Sequence, residues 1–166
     1  MKLFERLQRA LSKTLGGICV VVFSVLVIDV LWGVFTRHFT EQPAWTEELA
    51  RLLLVWLAIL GGVLAYSGDR HLGVDVLVSH FHASTRRHAR VFSHLCVLGF
   101  SVAVLLIGGI DLFRDRLDSG QMMSTLGIRK AWFYLVLPVG GGLISLLAIE
   151  KILLLLSSQD GKEEEA

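Results

Sequence analysis

The chain has 166 residues, 54% of them hydrophobic and 19% charged, and a formal net charge of +1; its mean hydropathy is +0.63. A soluble domain carries about a quarter charged residues, so this balance describes a chain whose solvent is largely lipid. The near-neutral charge excludes the basic face that nucleic acid requires. The two cysteines, Cys19 and Cys96, lie inside apolar runs and form no CxxC, so no disulfide is expected.

The first segment, Met1 to Thr14, sets Lys2, Arg6, Arg9 and Lys13 against Glu5. Leu3, Leu7 and Leu11 recur every four residues, the pattern of a short amphipathic helix on a membrane surface. The apolar run that follows reaches Phe35, about 22 residues, too long for the core of a signal peptide, and no small-x-small cleavage site follows it. Residues 15–35 are therefore read as the first spanning helix. Within it Asp29 is costly unless it faces protein or water, or snorkels to a nearby interface.

Pro43 ends any continuous helix before Trp45. Thr46 then caps a second helix, with Glu47 and Glu48 in its first turn, where the helix dipole favours negative charge. Glu47 and Arg51 stand four apart with the acid first, the better order for an ion pair. From Leu52 to Gly68 the chain is uncharged for about 17 residues, or about 25 Å of helix, close to the bilayer core of about 30 Å. The second span is placed at residues 49–67. Trp56 falls near mid-membrane, where a tryptophan packs against protein more often than it joins an interfacial belt. Ala58 with Gly62, and Gly61 with Ala65, are small-xxx-small pairs that admit a close helix.

A polar cluster closes this span and contains His71 and Asp75, four apart. Two ligands make no complete metal site, so the pair reads as a structural or interface hydrogen bond. Val74, Leu77, Val78 and Phe81 follow the i, i+3, i+4, i+7 pattern of a short amphipathic surface helix. Ser84 or Thr85 is the expected cap of the third span, residues 91–110, which Arg86, Arg87 and Arg90 flank and where Gly99 and Ala103 repeat the small-residue spacing. A loop from Asp111 to Lys130 leads to the fourth span, residues 131–156. There Pro138 removes a backbone donor and frees the Tyr134 carbonyl; beside Gly140-Gly141-Gly142 this predicts a kink. Residues 157–166 end in an acidic run and read as a disordered tail.

The expected fold is all-α and integral to the membrane: four spanning helices and one short amphipathic surface helix between spans 2 and 3. Lys2, Arg6, Arg9, Lys13, Arg70, Arg86, Arg87, Arg90, Lys151 and Lys162 lie on the side of the termini, against Arg37, Arg51, Arg114, Arg116, Arg129 and Lys130 opposite. The positive-inside rule then sets both termini in the cytoplasm. Trp32, Trp45, Trp132 and Tyr134 gather at the opposite interface, which agrees.

The ordered set Trp45-x-Glu47-Glu48-x-x-Arg51, Trp56, Gly61-Gly62, Ala65 and His71-x-x-Val74-Asp75 resembles the small membrane subunit, the Q type, of tripartite ATP-independent periplasmic (TRAP) transporters. Gly120-x-x-x-Ser124-x-Leu126-x-Ile128, followed by Trp132, Tyr134, Pro138 and Gly140, is similar to that family's second signature. One departure is Arg129-Lys130, where the family often has proline after the Ile128 position. The resemblance implies a bacterial inner-membrane protein working beside a large transport subunit, which carries the substrate and sodium sites and moves in an elevator fashion. It further implies a periplasmic binding protein that delivers a carboxylate such as a dicarboxylate or sialic acid. The small chain would brace the large one and widen its fixed scaffold.

Trp45, Glu47, Glu48, Arg51, Trp56, Gly61, Gly62, His71, Asp75, Asp29 and Pro138 are thus the candidate subunit-interface or structural residues. Glu47, Glu48 and Arg51 read either as a solvated collar or as groups paired within the bundle or to the large subunit. No nucleophile constellation is visible, and no catalytic residue, cofactor or metal is expected. The alternative reading is a haem-binding four-helix membrane anchor, which needs axial histidines facing each other inside the bilayer. Of six histidines only His94 falls inside a span. A carrier in its own right would need paired broken helices converging on a midplane site. This chain offers Asp29 and one break, so alone it is expected to transport nothing.

Overall fold

The computed structural model describes the backbone of residues 2–39, 43–68 and 83–157, and side chains over 10–39, 43–68 and 89–155. The expected surface helix over Val74–Phe81, with His71 and Asp75, lies outside them, as does the acidic tail. The helices are α1 (Lys2–Phe39), α2 (Ala44–Ser67), α3 (Ala83–Phe100), a π-helical stretch (Ser101–Ile107), α4 (Gly108–Asp118), α5 (Ala131–Tyr134) and α6 (Val136–Ser157). They supply four segments long and apolar enough to cross a membrane: Ala10–Phe39, Ala44–Ser67, Ala89–Asp118 and Ala131–Leu155.

Several boundaries differ from the sequence reading: α3 is already helical at Ala83, so Ser84 and Thr85 lie inside it rather than capping the third span, and three further differences have local causes. The N-terminal amphipathic segment is not a separate surface helix: it runs without interruption into the first span. A 30-residue span is about 45 Å long, more than the apolar core, so it tilts or emerges. Helix α2 starts at Ala44, with extended Pro43 as its N-cap residue, so Thr46 lies inside the first turn. Its hydroxyl donates to the Pro43 carbonyl at 2.8 Å rather than capping the helix. The polar stretch after Ile110 is helical as far as Asp118. Asp111 with Asp115, and Arg114 with Asp118, show why hydropathy lost it: the helix goes on after its side chains turn polar.

The spans do not close into a ring. Helix α1 touches α2; α2 touches the fourth span; the fourth touches the third. Among the described residues there is no backbone contact of α1 with the third or fourth span, nor of α2 with the third. The result is an open layer in the order 1, 2, 4, 3. Leu15, Cys19, Leu26, Asp29 and Gly33 form the buried seam of α1 and, with half-buried Val22 between Cys19 and Leu26, are spaced at alternating fours and threes as in a coiled coil. The shared core is Leu15, Cys19, Leu60, Val63, Tyr66, Val136, Leu147 and Ala148.

Pro138 interrupts the fourth span at Leu135, one turn before itself, between α5 and α6. The ladder resumes with the Val139 N–H on the Leu135 carbonyl at 3.4 Å. The glycines that follow serve packing more than flexibility. A Cβ on Gly141 would lie 2.7 Å from both Leu105 Cβ and Leu106 N of the π-helical stretch, and one on Gly140 would collide with Ile59 of α2. Beside that contact Ser101 and Ser145, both buried, share a hydrogen bond of 2.8 Å. Whichever hydroxyl accepts in this bond donates its own hydrogen to a backbone carbonyl, Ser145 to Gly141 or Ser101 to Leu98.

Candidate functional site

The chain between the third and fourth spans folds into a small hairpin. Gly120, at φ 60°, ends α4 in the left-handed conformation that lets a helix stop, and Gly127, at φ 63°, turns the hairpin. The Met123 N–H donates to the Ile128 carbonyl at 2.8 Å and the Lys130 N–H to the Gln121 carbonyl at 2.9 Å. The tip is held by Glu48. Its carboxylate accepts the backbone N–H groups of Ser124 (3.1 Å), Thr125 (3.1 Å) and Leu126 (3.3 Å), and the Thr125 hydroxyl as well. Three successive N–H groups converging on one anion form a nest, here filled from within the chain. Because α2 starts at Ala44, Glu48 falls just past its first turn rather than within it, and there it joins the Gly120–Ile128 signature, far away in sequence, as one clamp.

Glu47 points elsewhere. It accepts from Arg51 at 2.9 Å on the same helix, with side chains 73% and 65% exposed, so within this chain the pair is the solvated alternative. Trp45 is exposed near it. Below them the outward face of α2 carries Leu54, Ala58, Gly62 and Ala65, all exposed. A Cβ on Gly61 or Gly62 would meet nothing within 4 Å, so no packing among the described residues requires either glycine. Trp56 faces inward against the core, and its indole N–H has no hydrogen-bond partner among the described residues. Asp29 is 5% exposed, in the seam between α1 and α2, with neither carboxylate oxygen bonded among the described residues. It does not snorkel.

A second polar group, which sequence reasoning missed, sits at the end of the layer nearer the termini. Lys151 is buried, donates to the Tyr66 carbonyl at 2.6 Å, and lies 4.7 Å from the Tyr66 ring centroid. A cation at the last carbonyls of α2 is favoured by the helix dipole. The Tyr66 hydroxyl pairs with His94 Nδ1 at 3.0 Å, and Ser12 donates to Ser67 at 3.1 Å. All four spans are pinned there. The available signal was Lys151 itself, a cation set within an apolar run from Leu143 to Leu156 that also holds Glu150.

An all-α chain with four segments long and apolar enough to cross a membrane is a multi-pass membrane protein. Comparison with known families narrows this. The profile described as "Tripartite ATP-independent periplasmic transporters, DctQ component" matches residues 26–158, and the chain belongs to that family. It is a transporter component of the inner membrane, not an enzyme. The sialic acid TRAP transporter small permease protein SiaQ of Vibrio cholerae is 27% identical over 89% of this chain and 84% of its own length. The C4-dicarboxylate TRAP transporter small permease protein DctQ of Pseudomonas aeruginosa is 30% identical over 68% of this chain and 53% of its own length. The sialic acid TRAP transporter permease protein SiaT of Haemophilus influenzae is 29% identical over 84% of this chain, but only 21% of its own length is matched.

Proposed function

We propose that this chain is the scaffold subunit of a sodium-coupled, binding-protein-dependent importer of carboxylate-type solutes, bracing a large subunit in which transport takes place. The observation that carries the reading is the outward face of α2. There Leu54, Ala58, Gly62 and Ala65 lie beneath the Glu47–Arg51 pair, and the glycines are not needed by any packing among the described residues. Lipid gives little reason to keep a face this flat, whereas a neighbouring helix can approach it closely. The match to one fifth of the longer Haemophilus permease supports a large partner held beside this layer. Sialic acid and C4-dicarboxylates, named for two relatives, are both carboxylates and support that solute class. Both termini are assigned to the cytoplasm, from the distribution of Lys and Arg.

Reconstitution tests the assignment. In vesicles with a sodium gradient and a loaded binding protein, the chain alone should give no uptake above empty vesicles. Adding the large subunit should restore uptake. Sodium-driven uptake by the small chain alone would overturn the scaffold role.

A further inference from the structure

Asp29 is the one acidic group between Ala10 and Phe39, and the structure seals it rather than exposing it. The register of the α1–α2 seam is fixed at its far end, where Ser12 meets Ser67 and Gly16 faces Leu64. Carried along in heptad steps, it sets Asp29 opposite Ala50 and Gly33 opposite Thr46. Among the described residues no cation faces Asp29 there. Of the charged and titratable groups on α2, the only element beside α1 among the described residues, Arg51 is turned outward onto Glu47. Glu48 is committed to the hairpin, and Tyr66 lies at the other end with His94 and Lys151. On α1 itself Lys13, Arg37 and His38 lie toward the ends of the helix.

For a carboxylate this buried, with no partner among the described residues, the charged form is the costly one. We propose that Asp29 is a proton-binding site: a carboxylic acid whose hydroxyl donates to the Val25 carbonyl one turn back. Shorter hydroxyl side chains on the same helix reach the same i−4 carbonyl position three times. Thr14 donates to the Ala10 carbonyl at 2.9 Å, Ser24 to the Val20 carbonyl at 2.8 Å and Thr36 to the Trp32 carbonyl at 2.9 Å. Asp29 thereby becomes a fourth hydroxyl donor, and the seam stays dry beside the small Ala50 and Gly33. The bound proton is what allows the edge helix, held by a single neighbour, to keep a polar residue in its only packed face.

The test uses the whole chain purified together with its large subunit. The infrared spectrum of the wild type should contain a carboxylic-acid carbonyl band that is lost in Asp29→Asn and displaced, not lost, in Asp29→Glu. Asp29→Asn should also co-purify with the large subunit as the wild type does, because the amide still donates to Val25. If Asp29→Asn removes no such band, the site is ionised and the proposal fails. If Asp29→Asn releases the large subunit while Asp29→Glu retains it, Asp29 is the counter-ion of a cation on the partner, which also overturns the proposal. Should Asp29→Asn fail to fold, absence of the displaced band in Asp29→Glu decides against it.

Discussion

Two glycines on neighbouring spans show how the same residue type serves opposite purposes. Gly141 is needed by the fold, because any side chain there meets the backbone of the π-helical stretch. Gly62 has open space around it. Gly141→Leu should therefore prevent the isolated chain from folding, read as loss of the monodisperse peak in detergent, through overpacking against backbone that cannot yield. Gly62→Leu should leave that peak unchanged yet reduce recovery of the large subunit; unchanged recovery would remove the outward face of α2 from the interface. Arg51→Ala separates the same two levels. The pair with Glu47 is exposed, so its loss should cost the isolated chain only about 0–1 kcal/mol, measured as a small shift in melting temperature. Loss of large-subunit binding in the same variant would show that Arg51 has a partner outside this chain.

At the level of elements, hydropathy finds where membrane begins, not where helix ends. The four spans were legible because each is an apolar run of bilayer length, and the interruption before Pro138 was legible because proline lacks an N–H. Helix α4 was not, since Asp111, Arg114, Asp115 and Arg116 give it the composition of a loop. The Glu48 clamp was invisible for another reason: it joins residues 76 to 78 positions apart, and its donors are backbone groups common to every sequence. Lys151 looked like a flanking charge because its burial depends on Tyr66 arriving from another helix. The clamp makes its own prediction. Glu48→Ala should free the hairpin while leaving the spans packed, so trypsin should cut after Arg129 faster in the variant than in the wild type. Equal cleavage rates would mean that Gly120, Gly127 and the hairpin's own hydrogen bonds suffice to hold it.

For the whole molecule, labelling tests the assigned direction. Single cysteines placed at Gln42 and Gly120, in a background lacking Cys19 and Cys96, should react with an impermeant thiol reagent applied outside intact cells, and one at Ser84 should not. Labelling at Ser84 from outside would invert the assigned orientation. The order 1, 2, 4, 3 also has a mechanical meaning. Among the described residues the helices form a row one layer thick, with no ring of spans to enclose a passage for a solute. Breadth in a viscous bilayer resists tilting and sideways drift. Under the proposed scaffold role such a plate works as a keel, keeping the frame level so that the stroke of the large subunit is not lost to rocking of the whole assembly.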